Sequence, residues 1–334
     1  MYRMHRATST PGFGVALPTS GPFATAPNIF SIAERADACG FNDVWVNDHY
    51  SYPRARLMRS SAGSVEAVAD QDPNFFESLT TLAAVGGRVR RIGLAVHGLI
   101  LPIRDPRLFA KQIATIAELS GHRLTVAPAI GGSREDFDAA GVVFEQRGRL
   151  LDEHLAVLDA IAHSDHPVSF AGDHVHFEAA TFYPRPADVR LWITGDSEPA
   201  LRRAVRWGSG WFSSSWPTLD TYRQLGRRLD ERATAASREP TSIVRGTDPF
   251  CCISSTREAA LEIAGATLLE RYGSLERALV LSAVGSAADV RDQLRTLQDA
   301  GANYFELRFI CHDVPSYLEM IERVANDVLP GLRD

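Results

Sequence analysis

The chain has 334 residues, of which 45% are hydrophobic, and its formal net charge at pH 7 is −6. A chain of this length and hydrophobic content can bury a large core, so we predict a single domain over residues 1–334. Its 35 basic residues are interleaved with 41 acidic ones, which gives no electrostatic reason to expect nucleic acid as a partner.

Neither the cysteines nor the histidines have the spacing of a metal site. The four cysteines form no C-x-x-C pair, and the histidines between residues 154 and 176 fall on a predicted helix and a predicted hairpin. No apolar run approaches the roughly 18 residues of a membrane span, and the N-terminus lacks the apolar centre of a secretory signal. We therefore expect a cytoplasmic protein with reduced thiols, no bound metal and no membrane partner.

Short apolar or β-branched runs alternate with longer stretches of helical spacing, the pattern of parallel strands joined by helical crossovers. Strands are predicted, in chain order, at residues 13–17, 43–46, 92–96, 124–127, 191–194, 210–214, within 242–253 and at 304–309. Helices are predicted at 28–39, 73–86, 107–119, 144–162, 219–236, 257–272, 288–300 and 316–328. Eight strands in this alternation predict an α/β fold, a (β/α)8 TIM barrel.

Two segments are predicted to be insertions in the barrel. Residues 51–72 are rich in Ser, Arg, Ala and Gly without sustained periodicity, which indicates a long loop after strand two and a candidate lid. Residues 167–186 carry turn residues between alternating segments, which indicates a β-hairpin before strand five.

Local signals also predict where some elements begin and end. Pro128 cannot donate to a strand ladder and is expected to end strand four. Ser133 with Asp136, and Ser286 with Asp289, have the spacing of a helix capping box.

Several stretches carry a family resemblance: GFNDVWVNDH at 40–49, LPIRDP at 101–106, LSGHR at 119–123, DFDAAGV at 136–142, PRP at 184–186 and ITGDSEPAL at 193–201. In this order and spacing they resemble the bacterial luciferase-like monooxygenase superfamily of flavin- or deazaflavin-dependent oxidoreductases. The resemblance extends over nearly the whole chain. It implies an active site at the carboxyl end of the barrel.

Members of this superfamily use reduced FMN with molecular oxygen, or the deazaflavin coenzyme F-420 for hydride transfer. Our first hypothesis is a reduced-FMN-dependent monooxygenase of a small organic substrate, for which a separate flavin reductase is a candidate partner. The second is a deazaflavin-dependent reductase or dehydrogenase, because the ending Asp48-His49-Tyr50 is similar to that of such enzymes. The third is a catalytically inactive flavin-binding protein. Homo-oligomerisation is open in all three.

His49 is the candidate catalytic residue. It follows predicted strand two, and the resemblance implies that the catalytic histidine occupies this strand end. An imidazole with a pKa near 6.5 can donate or accept a proton near neutral pH; the alternative is a histidine that only caps a loop. Asp48, Tyr50 and Tyr52 are candidate substrate-pocket residues, with ordinary packing as their alternative. Asp48 could also orient His49, but neighbours on an extended strand point to opposite faces, so this pairing requires a bend after the strand.

The resemblance places the cofactor beside Ala95, Val96, His97, Gly195 and Ser197. In the superfamily the third strand carries a bulge with a non-prolyl cis peptide behind the ring, and the motif aligns this peptide on Ala95-Val96. His97 follows directly, with a buried, hydrogen-bonded histidine as its alternative. Gly195 and Ser197 precede a helix whose N–H groups would face the cofactor phosphate, with a plain N-cap as the alternative.

Three residues depart from the superfamily pattern. Pro128 stands in a turn that favours alternating glycines, and Asp196 places a negative charge where a phosphate should bind. Gly132 stands where some deazaflavin dehydrogenases have an acidic residue near the ring. This last departure argues against a sugar-phosphate dehydrogenase and leaves one proton-transfer residue unassigned. Together the departures motivate the inactive alternative, and the retained His49 argues against it.

Overall fold

A computed structural model describes residues 10–51, 74–164, 167–213 and 218–333. Its strands are β1 Gly12–Ala16, β2 Asp43–Asn47, β3 Gly93–Ile100, β4 Leu124–Ala129, β5 Val168–Ala171, β6 His176–Ala180, β7 Arg190–Thr194, β8 Gly210–Phe212, β9 Val244–Thr247, β10 Phe250–Ile253, β11 Ala283–Gly285 and β12 Tyr304–Phe309. Its α-helices are α1 Ala26–Ala38, α2 Ser78–Gly86, α3 Pro106–Ser120, α4 Arg134–Ala140, α5 Arg147–His163, α6 Glu198–Trp207, α7 Leu219–Ala235, α8 Arg257–Tyr272, α9 Leu275–Leu281, α10 Ala287–Asp299, α11 Val314–Arg323 and α12 Pro330–Arg333.

Eight parallel strands close into a barrel in the order β1, β2, β3, β4, β7, β8, β9 and β12, and β12 pairs back onto β1. The predicted (β/α)8 fold is confirmed. β10 continues alongside β12 beyond β9, and β11 pairs with β10 on its other side. Strand seven is thus split into β9 and β10, and the short elements α9 and β11 were not predicted because neither is long enough to show a periodicity.

The helices form where sequence signals predict them. Asp105 accepts hydrogen bonds from the N–H groups of Arg107 and Leu108 at the start of α3, and Gly121 ends this helix in the left-handed region. Ser286 and Asp289 form the predicted capping box. None of the helices in the described part of the chain is long and apolar enough to span a bilayer.

The predicted capping box at the start of α4 is wrong. Ser133 is the N-cap of α4 but makes no capping hydrogen bond through its side chain, which donates instead to Glu135 at 2.6 Å. The Asp136 side chain turns towards the loop after β2. A spacing rule describes one helix only, and here a tertiary partner takes the carboxylate.

The predicted end of strand four and the predicted cis peptide are also wrong. β4 runs through Pro128, which pairs with Leu99 where the register of β3 shifts, so the missing N–H falls at an irregular point of the ladder. Ala95 and Val96 lie in the regular part of β3, and the one cis peptide among the described residues is Tyr183-Pro184. The bulge of β3 lies at Gly98, whose positive φ of 68° suits glycine.

The two predicted insertions differ in outcome. β5 and β6 form a separate antiparallel hairpin, which confirms the insertion before strand five of the barrel. The predicted loop over residues 51–72 falls, apart from Ser51, outside the described residues.

A hydrogen-bonded network fills the amino end of the barrel. The Tyr304 hydroxyl donates to Asp43 Oδ2 at 2.6 Å and accepts from Trp45 Nε1 at 2.9 Å. Arg190 donates to Asp43 Oδ1 at 2.7 Å. Asp43 and Trp45 are buried, so the network satisfies groups that would otherwise carry an uncompensated desolvation cost. It fixes the first residues of β2, β7 and β12 relative to one another.

We predict that Tyr304→Phe lowers the free energy of unfolding by about 1–3 kcal/mol, because the Trp45 N–H and one Asp43 oxygen lose a buried partner. Urea unfolding followed by circular dichroism measures the change. Tyr50→Phe is the control, since Tyr50 is 62% exposed, and should change stability by less than about 0.5 kcal/mol. Equal stabilities of the two variants would show that the network does not stabilise the barrel.

Candidate active site

A cavity of about 450 Å3 opens at the carboxyl ends of the barrel strands. Its wall includes Asn47, Asp48 and His49 after β2, His97 and Gly98 on β3, Ala129, Ile130, Gly131 and Gly132 after β4, Thr194 and Gly195 at β7, Asp248 after β9, Arg308 on β12, and also Ser20, Phe75, Ile100 and Arg271. Parallel strands bring their ends to one face, so residues far apart in sequence converge here.

His49 lies on the cavity wall and is held by a buried carboxylate. Its Nδ1 lies 2.8 Å from Asp136 Oδ2, and its ring meets Phe75 edge to face with centroids 5.6 Å apart. Asp136 is fully buried, whereas the His49 side chain is 31% exposed. The contact with Asp136 therefore fixes the orientation of the His49 ring at the cavity wall.

The Asp136 carboxylate is held by several donors. Its Oδ1 accepts from the backbone N–H groups of Tyr50 and Ser51, each at 2.8 Å. Burial by itself raises the pKa of Asp136, but the hydrogen bonds from His49, Ser51 and Tyr50 together lower that pKa below its ordinary value. Asp136 is consequently an anion over the neutral pH range.

An ionised carboxylate only accepts hydrogen bonds, so His49 carries its proton on Nδ1 when the ring is neutral. Nε2 is then a lone-pair acceptor and is the nitrogen that can take a proton from a substrate. This assignment of the tautomer follows from the hydrogen bond to Asp136. The pair is suited to general acid–base chemistry.

Asp48 has a different partner. It is buried and forms a bidentate ion pair with Arg104, with N–O distances of 2.8 and 2.7 Å. It also accepts hydrogen bonds from Ser78 Oγ and the Ile100 N–H, both at 2.8 Å. Asp136 is the carboxylate that contacts His49 Nδ1. The four contacts of Asp48 tie the end of β2 to α2 and to the end of β3.

His97, Asp248 and Arg308 line the cavity as a second charged group, and the buried Glu306 lies in contact with this group. His97 Nδ1 lies 3.0 Å from Glu306 Oε2, and Arg308 donates to Asp248 at 2.9 Å. His97 rests against the Phe212 ring with centroids 4.0 Å apart. Burial raises the pKa of Asp248, against the lowering effect of the charges of His97 and Arg308. Neither pair is evident from local sequence patterns.

Only some of the predicted cofactor residues line the cavity. Ala95 packs inside the barrel with Trp45 and other aromatic rings, and Val96 joins the opposite, outer core, so neither lines the cavity. Gly195 lines it, but its N–H donates to Phe212 O at 3.0 Å and is not a free donor. Ser197 caps α6 through the Ala200 N–H and does not line the cavity.

The predicted pocket tyrosines do not line the cavity in the described part of the chain. Tyr50 is exposed and contributes its backbone N–H to Asp136 rather than a ring to the wall. Tyr52 lies outside the described residues. Among the described residues no group of three or more His, Cys, Asp or Glu side chains is placed to hold a metal ion.

The cavity suits a flat ring. Its volume falls within the roughly 300–1,000 Å3 of small-molecule pockets. The bulge at Gly98 exposes backbone, and a Cβ built on this residue would meet no atom within 4 Å, so a planar ligand can approach the strand closely. The bulge that the resemblance implies for strand three is therefore present, three residues later than the motif placed it.

Sequence reasoning missed Asp136, Asp248, Glu306 and Arg308 as site residues. The first was assigned to a helix cap. Asp248 and Arg308 lie at or near the ends of β9 and β12, whereas Glu306 lies in the middle of β12. A polar residue at the carboxyl end of a barrel strand is itself a signal of a site residue, and it was applied only to strand two.

The luciferase-like monooxygenase family model matches residues 4–304. The chain belongs to this family. Its described sheet and cavity have the architecture expected of a luciferase-like oxidoreductase, which confirms the resemblance drawn from the motifs.

Relatives of this luciferase-like protein include an uncharacterised protein of Mycobacterium tuberculosis, 29% identical over 212 residues that cover 62% of this chain and 72% of that protein. An F-420-dependent glucose-6-phosphate dehydrogenase of Intrasporangium calvum is 25% identical over 331 residues, which cover 90% of this chain and 92% of that enzyme.

Two solved structures share the fold over nearly the whole chain. A monooxygenase from Streptomyces bottropensis matches with a TM-score of 0.80 and 22% identity over 96% of this chain and 99% of that chain. An F-420-dependent secondary alcohol dehydrogenase, solved with an F-420–acetone adduct, matches with a TM-score of 0.77 and 19% identity over 97% of this chain and all (100%) of that chain.

We predict that Asp136→Asn lowers the free energy of unfolding by about 1–3 kcal/mol at pH 7, because His49 and two backbone N–H groups lose a charged acceptor. The pKa of Asp136 is depressed in the folded state, so its contribution is full above the unfolded pKa of about 3.9 and is lost as pH falls through the lower folded value.

Denaturant unfolding at pH 7 and at pH 3 measures both parts of this prediction. The difference between wild type and Asp136→Asn should be large at pH 7 and shrink at pH 3. Asp138→Asn, an exposed change on the same helix, should have little effect at either pH. A difference for Asp136→Asn that does not depend on pH would contradict the ionised-carboxylate assignment.

Proposed function

We propose that this luciferase-like oxidoreductase uses the deazaflavin F-420 to interconvert a small organic alcohol and its carbonyl compound. The observation that carries the proposal is the His49–Asp136 pair: an imidazole on the cavity wall whose Nδ1 lies 2.8 Å from a buried carboxylate. An alcohol must lose a hydroxyl proton as its carbon loses a hydride, and this pair is built to take that proton.

The chain's own groups divide the work of this reaction. The wall at Gly98 offers a surface for the ring, and the bound deazaflavin supplies a hydride acceptor. His49 Nε2 takes the hydroxyl proton, and Asp136 keeps Nδ1 protonated and stabilises the imidazolium that forms. In the reverse direction the same imidazolium donates the proton to the carbonyl oxygen.

Two kinds of support favour the deazaflavin over our first hypothesis of FMN. The relative from Intrasporangium calvum is named as F-420-dependent and is aligned over 90% of this chain. The alcohol dehydrogenase named as F-420-dependent has the same fold, but a similarity at 19% identity supports only the shared fold. Glucose 6-phosphate itself is disfavoured as substrate, because Gly132 offers no acidic side chain where such dehydrogenases are expected to have one.

The second candidate is a reduced-FMN-dependent monooxygenase, which the description of the matching family model favours. It would use the same cavity, with a separate flavin reductase as a candidate source of reduced flavin. In that reaction His49 would act as a proton donor or acceptor near the ring. The two candidates differ in cofactor, so a binding measurement separates them.

We predict that F-420 binds the purified protein at least 10-fold more tightly than FMN in either redox state. Titration followed by ring fluorescence for the oxidised forms, and anaerobic calorimetry for the reduced forms, gives the dissociation constants. Tighter binding of reduced FMN, with oxygen consumption in the presence of a flavin reductase, would favour the monooxygenase. Binding of neither compound would contradict both candidates.

We also predict that His49→Asn lowers turnover by about 10²- to 10⁴-fold, the range for loss of a positioned acid or base, with F-420 affinity within a few-fold of wild type. The asparagine side chain is similar in size to the imidazole, but its amide cannot take up or release a proton near neutral pH. Single-turnover rates and thermal melts measure the two parts. His176→Asn, an exposed change on the hairpin, is the control. Wild-type turnover by His49→Asn would leave His49 as a loop residue.

A further inference from the structure

The cavity contains a second imidazole with a carboxylate partner, which the proposed reaction has not used. His97 lines the cavity from β3, and its Nδ1 lies 3.0 Å from Glu306 Oε2 on β12. Unlike His49, this ring is almost fully buried, with a side chain 9% exposed. Nδ1 faces Glu306, so Nε2 is the nitrogen that remains for a ligand.

Glu306 is fully buried, and none of the described residues donates a well-aligned hydrogen bond to either of its carboxylate oxygens. A buried carboxylate without donors is costly unless a cation lies against it. The His97 ring contacts this carboxylate, and the Arg308 guanidinium also interacts with its charge. The geometry is therefore that of an ion pair, in which His97 is an imidazolium.

Among the described residues, three charged groups act on the protonation of His97. Glu306 and Arg308 face it from β12, and Asp248 faces it from the end of β9, while β2 and β8 present only the rings of Trp45 and Phe212. Burial lowers the pKa of His97, but the charges of Glu306 and Asp248 raise it above its ordinary value, against the opposing charge of Arg308. The arrangement keeps a proton on His97.

We propose that the His97–Glu306 pair is a second acid–base pair of this site: His97 donates a proton to the cofactor ring as the ring receives a hydride, and Glu306 is the positioning residue that keeps His97 protonated. This role rests on the deazaflavin reaction proposed above. It assigns the proton donor that Gly132 cannot supply.

The protons and electrons balance across the two pairs. The alcohol carbon loses a hydride to the ring and its hydroxyl loses a proton to His49, so the alcohol becomes a carbonyl compound. His97 gives its Nε2 proton to the ring, which thereby gains one hydride and one proton in total. His49 has then gained one proton and His97 has lost one, and exchange with solvent through the cavity restores both.

Gly132 provides an independent way to test this role. It lies on the cavity wall, its φ is outside the left-handed region, and a Cβ built on it meets no atom within 4 Å. The backbone and the space at this position therefore accept a side chain at Cβ. A Gly132→Glu substitution should supply a second proton donor without displacing the surrounding side chains.

The first experiment needs no cofactor. In the ¹⁵N-histidine-labelled protein, NMR should show His97 as an imidazolium at pH 7, and its deprotonation should move to lower pH in Glu306→Gln. A His97 ring that is neutral at pH 6.5, or that titrates identically in Glu306→Gln, would overturn the ion pair on which the proposal rests.

The second experiment uses F-420 with each variant. His97→Gln should lower turnover by about 10²-fold or more with F-420 affinity within a few-fold of wild type, and Glu306→Gln should lose more turnover as pH rises. Because His97→Gln leaves Glu306 buried without a counter-ion, the double variant His97→Gln/Glu306→Gln serves as the comparison if the single variant unfolds. Thermal melts show which variants are folded.

Adding Gly132→Glu to the His97→Gln/Glu306→Gln variant should raise its turnover at least 10-fold. Adding it to His49→Asn should not raise turnover. Wild-type turnover by folded His97 variants, or no selective rescue, would overturn the role of His97 while leaving the proposed function intact. If wild type fails to bind F-420, the proposed function and this role both fall, and the NMR result still reports whether His97 is charged.

Discussion

Closing eight parallel strands into a ring is the constraint on which the rest of this structure depends. β12 must pair with β1, and this closure places the carboxyl ends of all eight strands on one face. The interior must then be filled, and at the amino end the network of Asp43, Trp45 and Tyr304 fills it with satisfied polar groups. A packed amino end leaves the opposite end as the place for a cavity.

The cavity combines two histidines that have similar partners but different surroundings. His49 is part exposed, and its Asp136 partner also accepts two backbone N–H groups; in the proposed function this pair takes up and releases the proton of the substrate. His97 is nearly enclosed, and none of the described residues donates a well-aligned hydrogen bond to its Glu306 partner, which favours the protonated form of His97. Two titratable groups whose environments differ in this way can serve as the acid and the base of one reaction.

Asp48 and Asp136, which belong to different sequence motifs, have different partners at the site. Asp48, next to His49 in sequence, is fully committed to Arg104, Ser78 and a backbone N–H, and holds the end of β2 in place. Asp136, 87 residues away from His49, is the group that orients it. Asp48 and His49 both follow the end of β2, and the tertiary contacts of each side chain decide its role.

The sequence by itself determined the strand and helix order, the barrel, the hairpin insertion and the place of His49, because periodicity and strand-end position are local properties. It also determined the family, which the matching model confirms. It misplaced the bulge of β3 and the partner of Asp136. Only the tertiary structure decided that Asp136 binds His49 and that Glu306 faces His97, since each contact joins residues from different strands or loops that meet only when the barrel closes.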